Sequence, residues 1–413
     1  MVKKGYKQTE VGVIPQDWQD EKLGELAKVC MCKRIFADQT TENGEIPFFK
    51  IGTFGKEADA YISRSLYEDF KHRFSFPQKG DVLISAAGTL GRSVIFDGKD
   101  AYFQDSNIVW LDIDKTKLCN KYLYHYYKVI QWASSEGSTI ARLYNGIICD
   151  THIALPKVDE QEQIAGILSE MDTLISTLEK QVSKKKAIKQ GAMQELLTGK
   201  RRLPGFERAW KTTKLREYCT LVTKQTGFDY SAYIKPALIT QKMPNTLPMI
   251  QTINFRGRKF AFGTDYYISK AVALQFPNIV LNEKCVLFSI VGASVGNVGL
   301  YPGGTTAFCG GAIGITRFHN EQDAEWVYNY MISPDGQAQI QYVTKGGAQA
   351  TVTIADIRNF KIPTPEKNER DAISSVLENM DHEIEVLEEK LAKYRQVKQG
   401  MMQQLLTGKI RLT

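Results

Sequence analysis

The stretch KQGAMQELLTGKRRL at residues 189–203 returns as KQGMMQQLLTGKIRL at residues 398–412. Aligned at a constant offset of 209, residues 160–203 and 369–412 share 21 identities in 44 positions. A repeat of this length means one structural unit built twice, so it constrains the fold before any single element is assigned.

Fainter matches carry the duplication beyond these segments. Trp18, Leu23 and Glu25 in WQDEKLGE correspond to Trp210, Leu215 and Glu217 in WKTTKLRE. GDVLISAAGTLGRSVIF (80–96) is similar to KCVLFSIVGASVGNVGLY (284–301), each a β-branched run ending in a glycine-punctuated turn. YLYHY (122–126) is echoed by WVYNY (326–330), and an apolar-proline step precedes both long repeats. The order is domain, helix, domain, helix, with expected boundaries at 1–158, 159–203, 204–366 and 367–413.

Inside each domain the apolar runs DVLIS, SVIF, NIVWLDI, CVLFSIV and AIGITRF are short and bounded by Gly, Asn and Asp, which predicts strands. KYLYHYYKVIQWA (121–133) and AEWVYNYMIS (324–333) predict one short helix per domain, so the class is α+β with a β-rich centre. In the repeats, Ile164, Leu168, Met171, Ile175, Leu178 and Val182 alternate steps of four and three, as do Ile373, Leu377, Met380, Ile384, Leu387 and Leu391. That is a coiled-coil seam. Lys185 and Lys189 interrupt the first seam, Tyr394 and Lys398 the second. A stripe of this kind otherwise packs on its own domain's core; two matched stripes point to pairing with each other. The first helix delivers the chain to the second domain and the second leaves it, so the expected pair is antiparallel and joins the domains in a pseudo-two-fold arrangement.

Composition narrows the function classes. No apolar run is long enough to span a bilayer, and MVKKGYKQTEVGVIPQDW carries no apolar stretch after its basic residues, so a cytoplasmic location is expected. Seven scattered cysteines read as free thiols rather than a disulfide framework, and no ligand spacing suggests a metal site. The net charge of +7 is uneven. Residues 1–159 carry 21 basic and 21 acidic side chains, residues 204–368 carry 17 and 11. Contact with DNA therefore has to come from local clusters, because affinity follows the phosphates neutralised.

Two variable α+β domains, each opened by W-x4-L-x-E and closed by an apolar-proline step into a long helix ending in LLTGK, resemble the specificity subunit of type I restriction-modification systems. YKQTEVGVIPQDW and GDVLIS-x-x-GTLG add to the resemblance, which spans nearly the whole chain. It implies that each domain is a target recognition domain reading one half of a split site in double-stranded DNA, and that the helices set the unread gap. It further implies partners: two DNA adenine methyltransferase subunits that use S-adenosylmethionine, and two restriction/translocase subunits that use ATP and Mg. No cofactor is implied in this chain, which would catalyse nothing. The residues agree, since no Asn/Asp-Pro-Pro-Tyr/Phe loop, phosphate loop or H-E-x-x-H occurs. Two other readings are a specificity chain of a fused or type II-like restriction system and a duplicated protein-binding scaffold without DNA.

Base readout needs side chains at loop tips, with Arg suited to guanine, Asn or Gln to adenine, and further cations for phosphates. Candidates in the first domain are Lys33, Arg34, Lys71, Arg73, Thr89, Arg92, Arg142, Tyr144 and Asn145. In the second they are Lys224, Gln225, Asn254, Arg256, Arg258, Lys259, Ser294, Asn297, Lys345 and Gln349. INFRGRKF (253–260) is the strongest, with three cations, Asn and Phe in eight residues; an ordinary solvated hairpin is its bland alternative. The glycine turns 88–91 and 292–296 suit backbone amides near phosphate, or are simple tight turns. The helix ends, with Gly199 and Gly408 just past them, are expected to cap the helices and to offer two equivalent docking patches to a two-fold pair of partners.

Overall fold

A computed structural model of the chain describes residues 3–132, 142–344 and 350–412, apart from residue 257 and the side chains of Arg256 and Lys259. Two compact units share it: Met1–Glu179 with Glu389–Thr413, and Lys180–Glu388. Each holds one β-rich domain, the first part of one long helix and the last part of the other.

The centre of each unit is a four-stranded antiparallel sheet, and the two sheets have the same connectivity. In the first the order is Ala27–Met31, Ile108–Ile113, Val82–Ser85, Ser93–Ile95. In the second it is Leu221–Lys224, Ile313–Arg317, Cys285–Ser289, Val298–Tyr301. VLIS and CVLFS are apolar almost throughout because both faces of the sheet are covered, and every residue of these two strands is buried. Alternate side chains then enter different cores. Ile84, Val109 and Leu111 join Trp18, Tyr122 and Ile153, whereas Leu83, Ile108 and Trp110 join Phe48, Tyr67 and Tyr102. Val286 and Phe288 join Trp326, Ile362 and Ile373, while Leu287 and Ile315 join Ile250, Ile268 and Phe308. Mixed α and β content is thus what the strand punctuation predicts.

The short helices differ from expectation. KYLYHYY is helical only over Asn120–Tyr126, because its last turn is tightened at Tyr127, whose N–H bonds both Leu123 and His125; AEWVYNYMIS lies in Glu321–Met331. Helix Arg64–Arg73 was not anticipated. Its start is signalled by Ser63, whose hydroxyl accepts from the Leu66 N–H at 3.3 Å, a conventional N-cap.

The repeats form helices Val158–Leu196 and Lys367–Leu405, 39 residues each, or about 58 Å at the usual rise. Within each unit the two helix segments run antiparallel, as the ion pairs show. In the first unit Glu179 meets Arg395 at 2.6 Å, Asp172 meets Lys398, and Glu160 meets Arg411 at 2.6 Å. In the second, Lys185 meets Glu383, Lys189 meets Asp381, and Arg202 meets Glu369, each at 2.5 Å. The lysines that interrupt the seams are therefore cross-helix partners of carboxylates, Lys185 of a glutamate and Lys189 and Lys398 of aspartates.

The seam itself divides into two kinds of position. Ile164 and Leu168 are fully buried in the first domain's core beside Met402, Leu405 and Leu406. Ile373 and Leu377 lie likewise in the second, beside Met193, Leu196 and Leu197. Leu178, Val182, Ile384 and Leu391 are buried outside those cores, and Met171, Ile175, Met380 and Leu387 are half-buried. The first turns pack on their own domain's core, whereas Leu178, Val182, Ile384 and Leu391 are buried apart from it.

The closing LLTGK motif acquires a physical reason at the helix ends. Gly199 and Gly408 have φ of +71° and +67°, which only glycine adopts without strain. A Cβ on Gly408 would sit 2.4 Å from Pro15 Cδ and 3.2 Å from the Trp18 ring, and one on Gly199 3.2 Å from the Trp210 ring. Trp18 Nε1 donates to Glu160 at 3.1 Å, and Arg411 grips Glu160 and Asp17 while lying over the Trp18 ring. Trp210 Nε1 donates to Glu369 at 2.8 Å, and Arg202 grips Glu369 from over the Trp210 ring. Trp, Glu, Gly and Arg of the repeated motifs thus meet as one joint, built twice.

Candidate nucleic-acid interface

Strand direction brings three loops to the same end of each sheet. In the first unit these are the residues after Met31, those before Ile108, and the turn from Ser85 to Ser93; in the second, those after Lys224, those before Ile313, and the turn from Ser289 to Val298. Eight of the nineteen candidates drawn from the sequence fall there: Lys33, Arg34, Thr89, Arg92, Lys224, Gln225, Ser294 and Asn297.

In the first unit Arg34 Nε donates to Asp105 Oδ2 at 2.9 Å, and Arg142 Nη2 donates to the Ser106 carbonyl at 3.2 Å. Arg142 also bridges to Ala87, beside the turn that carries Thr89. Arg34, Thr89 and Arg142 are thereby gathered around one loop, in which Ser106 takes φ of +52°. Tyr144, 54% exposed, lies under the Arg142 guanidinium, and Asn145 opens helix Asn145–Asp150. Arg92 is turned inward: its Nη1 donates to the Phe54 carbonyl at 3.0 Å. Lys33 and Arg73 both sit over the Phe74 ring at 5.2 Å.

The KHRF tip is a helix end rather than a loop. Arg73 pairs with Asp69 at 2.9 Å, and Lys71 donates to the Tyr67 hydroxyl at 2.9 Å, which raises the ammonium pKa against a smaller opposing effect of burial. Gly91, at φ +74°, is required by packing, since a Cβ there would meet Trp132 Nε1 at 2.1 Å.

The second unit departs more from expectation, and INFRGRKF most of all. Asn254 is 1% exposed, accepts from the Gln251 N–H at 2.7 Å and donates to the carbonyls of Ala261 and Gly263. Arg258 reaches Glu325 at 2.7 Å and Asp381 at 2.9 Å and lies over the Tyr328 ring. Burial tends to lower its pKa, but the two carboxylates raise it further, so it stays cationic. Both side chains are thus engaged inside the unit, which corrects their reading as free DNA contacts: hairpin Phe255–Arg256/Lys259–Phe260 ties the domain to the second long helix. The side chains of Arg256 and Lys259 lie outside the described residues, as do Lys345 and Gln349.

Ser294 and Asn297 do lie at the sheet end, the Asn297 N–H donating to the Ser294 carbonyl at 3.1 Å inside the glycine turn. Lys224 is exposed at the end of its strand. Gln225, next along, is buried and lines a cavity of about 530 Å³ together with Thr226, Tyr230, Gln251, Gly310 and Gly311. These neighbours come from loops far apart in the chain, and only the GlyGly pair in CGGAIGI hints at them in the sequence. The seven cysteines are free, as their scatter suggests. Among the described residues no helix is long and apolar enough to cross a membrane.

Comparison with known proteins agrees with this architecture. The family model for the type I restriction modification DNA specificity domain matches twice, over residues 15–190 and 208–394. A chain of Haemophilus influenzae named as a type I restriction enzyme specificity subunit is 54% identical over 157 residues, spanning 38% of this chain and 41% of that one. A type I restriction enzyme specificity subunit of Methanocaldococcus jannaschii is 24% identical over 424 residues, covering 97% of this chain and 94% of its own. The fold is similar to that of a type I restriction-modification S subunit from M. genitalium, with a TM-score of 0.61 and 13% identity over 94% of this chain and 96% of the other. It is also similar to a chain from the structural description of complex assembly and conformational transition in the type I R-M system, with a TM-score of 0.53 and 15% identity over 96% and 99%.

Proposed function

The chain belongs to the type I restriction-modification DNA specificity family, and from that premise we propose that its two recognition domains each read one half of a split DNA site. The observation that carries the reading is the pair of matched sheet ends. Both domains present the same three loops, yet the side chains at or beside them differ: Arg34, Arg142 and Tyr144 in one, Lys224, Gln225 and Asn297 in the other. One scaffold used twice with different loop chemistry is what two unlike half-sites demand.

The paired helices act as the ruler that sets the gap. Their ion pairs hold each antiparallel segment in one register, and a rod of about 58 Å exceeds one DNA turn of about 34–36 Å. The duplicated Trp-Glu-Arg joints and helix ends offer two equivalent surfaces, and these support docking of two adenine methyltransferase subunits. S-adenosylmethionine would be held by those subunits, and ATP with Mg by two restriction/translocase subunits, with this chain supplying only sequence recognition.

Mapping methylated adenines in a genome with and without the gene tests the reading. A split methylated motif is expected to vanish on deletion; a methylome that does not change refutes it. Removing one matched heptad from each helix is expected to alter the gap and leave both half-sites intact, and a changed half-site would contradict the ruler.

A further inference from the structure

We propose that the cavity beside Gln225 takes the edge of one adenine of the second half-site, with the Gln225 amide as its reader; this rests on the second domain reading DNA. Gln225 is only 3% exposed, yet neither its Oε1 nor its Nε2 has a hydrogen-bond partner among the described residues. An amide left this way in an interior is anomalous, because buried polar groups are nearly always paired. It lines a cavity of about 530 Å³, within the roughly 300–1,000 Å³ typical of ligand sites.

The surroundings leave the amide room on one side. The wall at Gly310 and Gly311 carries no side chains: a Cβ on Gly311 would lie 2.9 Å from Gln225 Oε1, and one on Gly310 2.8 Å from the Ile250 carbonyl. Exposed Lys224 precedes the reader, makes no ion pair among the described residues, and supplies a cation for a neighbouring phosphate. The amide offers one acceptor and one donor, the complement of adenine, whose N6 donates and N7 accepts in the major groove.

The other copy of the domain sharpens the point. Gln225 follows the strand whose Lys224 pairs with Gly314, and Cys32 follows the equivalent strand, whose Met31 pairs with Val109. At matched positions the first domain places a buried thiol and the second an amide. A position that differs in hydrogen-bonding capacity between otherwise matched sheets is where half-site identity can reside.

The test uses the full chain assembled with its modification subunit. Wild type and Gln225→Met are compared on DNA carrying each single substitution in the motif, and 7-deazaadenine, which lacks the N7 acceptor, is placed at each adenine of the second half-site in turn. Gln225→Met is expected to lose about 5- to 150-fold discrimination at one A·T pair, with the first half-site and gap unchanged. The deaza substitution at that pair should weaken binding by wild type and not by Gln225→Met. Gln225→Glu, which only accepts, should shift preference there toward cytosine. Unchanged discrimination in both variants, or a deaza effect equal in wild type and variant, overturns the proposal, the amide then being a packing or water-bound group. Should Gln225→Met not fold, the deaza scan on wild type decides alone: no sensitive adenine overturns it. Absence of any split motif for wild type would instead refute the underlying function.

Discussion

Glu369 shows what a single residue does at the joints. It is fully buried and accepts from both Arg202 and Trp210. Glu369→Ala leaves the Trp210 indole N–H and the Arg202 guanidinium without their shared acceptor, and urea unfolding is expected to show a loss of about 1–3 kcal/mol. Arg201→Ala, next to Arg202 but with its side chain 75% exposed, should stay within about 0.5 kcal/mol of wild type. A second residue-scale expectation concerns acid. Burial, reinforced by Lys128 and opposed by Asp172, lowers the His125 pKa to about 4, and its Nε2 lies 3.1 Å from Ser169 Oγ, with Lys398 also nearby. Between pH 6.5 and 4 the unfolded chain binds a proton at His125 that the folded chain does not, so stability is fully present above pH 6.5 and falls toward pH 4. The loss is on the order of 3 kcal/mol, and His125→Gln should flatten it in unfolding measured across that window. Asp17, held low by the Arg411 hydrogen bond, loses its contribution only as pH falls below the usual carboxylate value.

Among the elements, the long helices depend on polar register as much as on the seam. Lys398 is only 12% exposed and meets Asp172, and Lys189, 13% exposed, meets Asp381; the two pairs are the same pair at the repeat offset of 209. Burial works to raise the Asp172 carboxyl, but its bond to Lys398 and the charge of Lys128 outweigh this and hold it low. Asp172→Lys is expected to destabilise the first unit by about 1.5–3 kcal/mol, and the double exchange Asp172→Lys with Lys398→Asp to recover part of that in a thermal melt, Lys128 then facing a like charge. Failure of the exchange to recover stability would mean that the pair does not fix register. At the helix end, Gly408→Ala meets both a positive φ and Pro15, so a loss of more than about 1 kcal/mol is expected, against a gain of about 0.5–1 kcal/mol for Gly166→Ala, inside a helix and with open space for its Cβ.

Across the whole molecule, the duplication makes the two readers separable. Exchanging the loops at one sheet end for those of a relative should change one half of the methylated motif and leave the other half and the gap as they were, read by genome-wide methylation mapping. Change in both halves would show that the domains do not read independently.

The amino-acid sequence by itself determined that there are two copies, in the order domain, helix, domain, helix, with short strands and matched seams, because repeats and periodicities are local and survive without coordinates. It also placed Arg34, Thr89, Arg142, Lys224 and Gln225 among loop residues, since turn chemistry marks strand ends. Only the tertiary structure decided which polar groups are already engaged. Arg258 stood out as a free cation in the sequence, but its carboxylates at Glu325 and Asp381 lie 67 and 123 positions away. Gln225 looked like one polar residue among many until Gly310 and Gly311 closed on it from across the domain without offering a partner. Hydrogen-bond satisfaction depends on which distant segments arrive together, and that is set by the packing of the sheets, which no local pattern encodes.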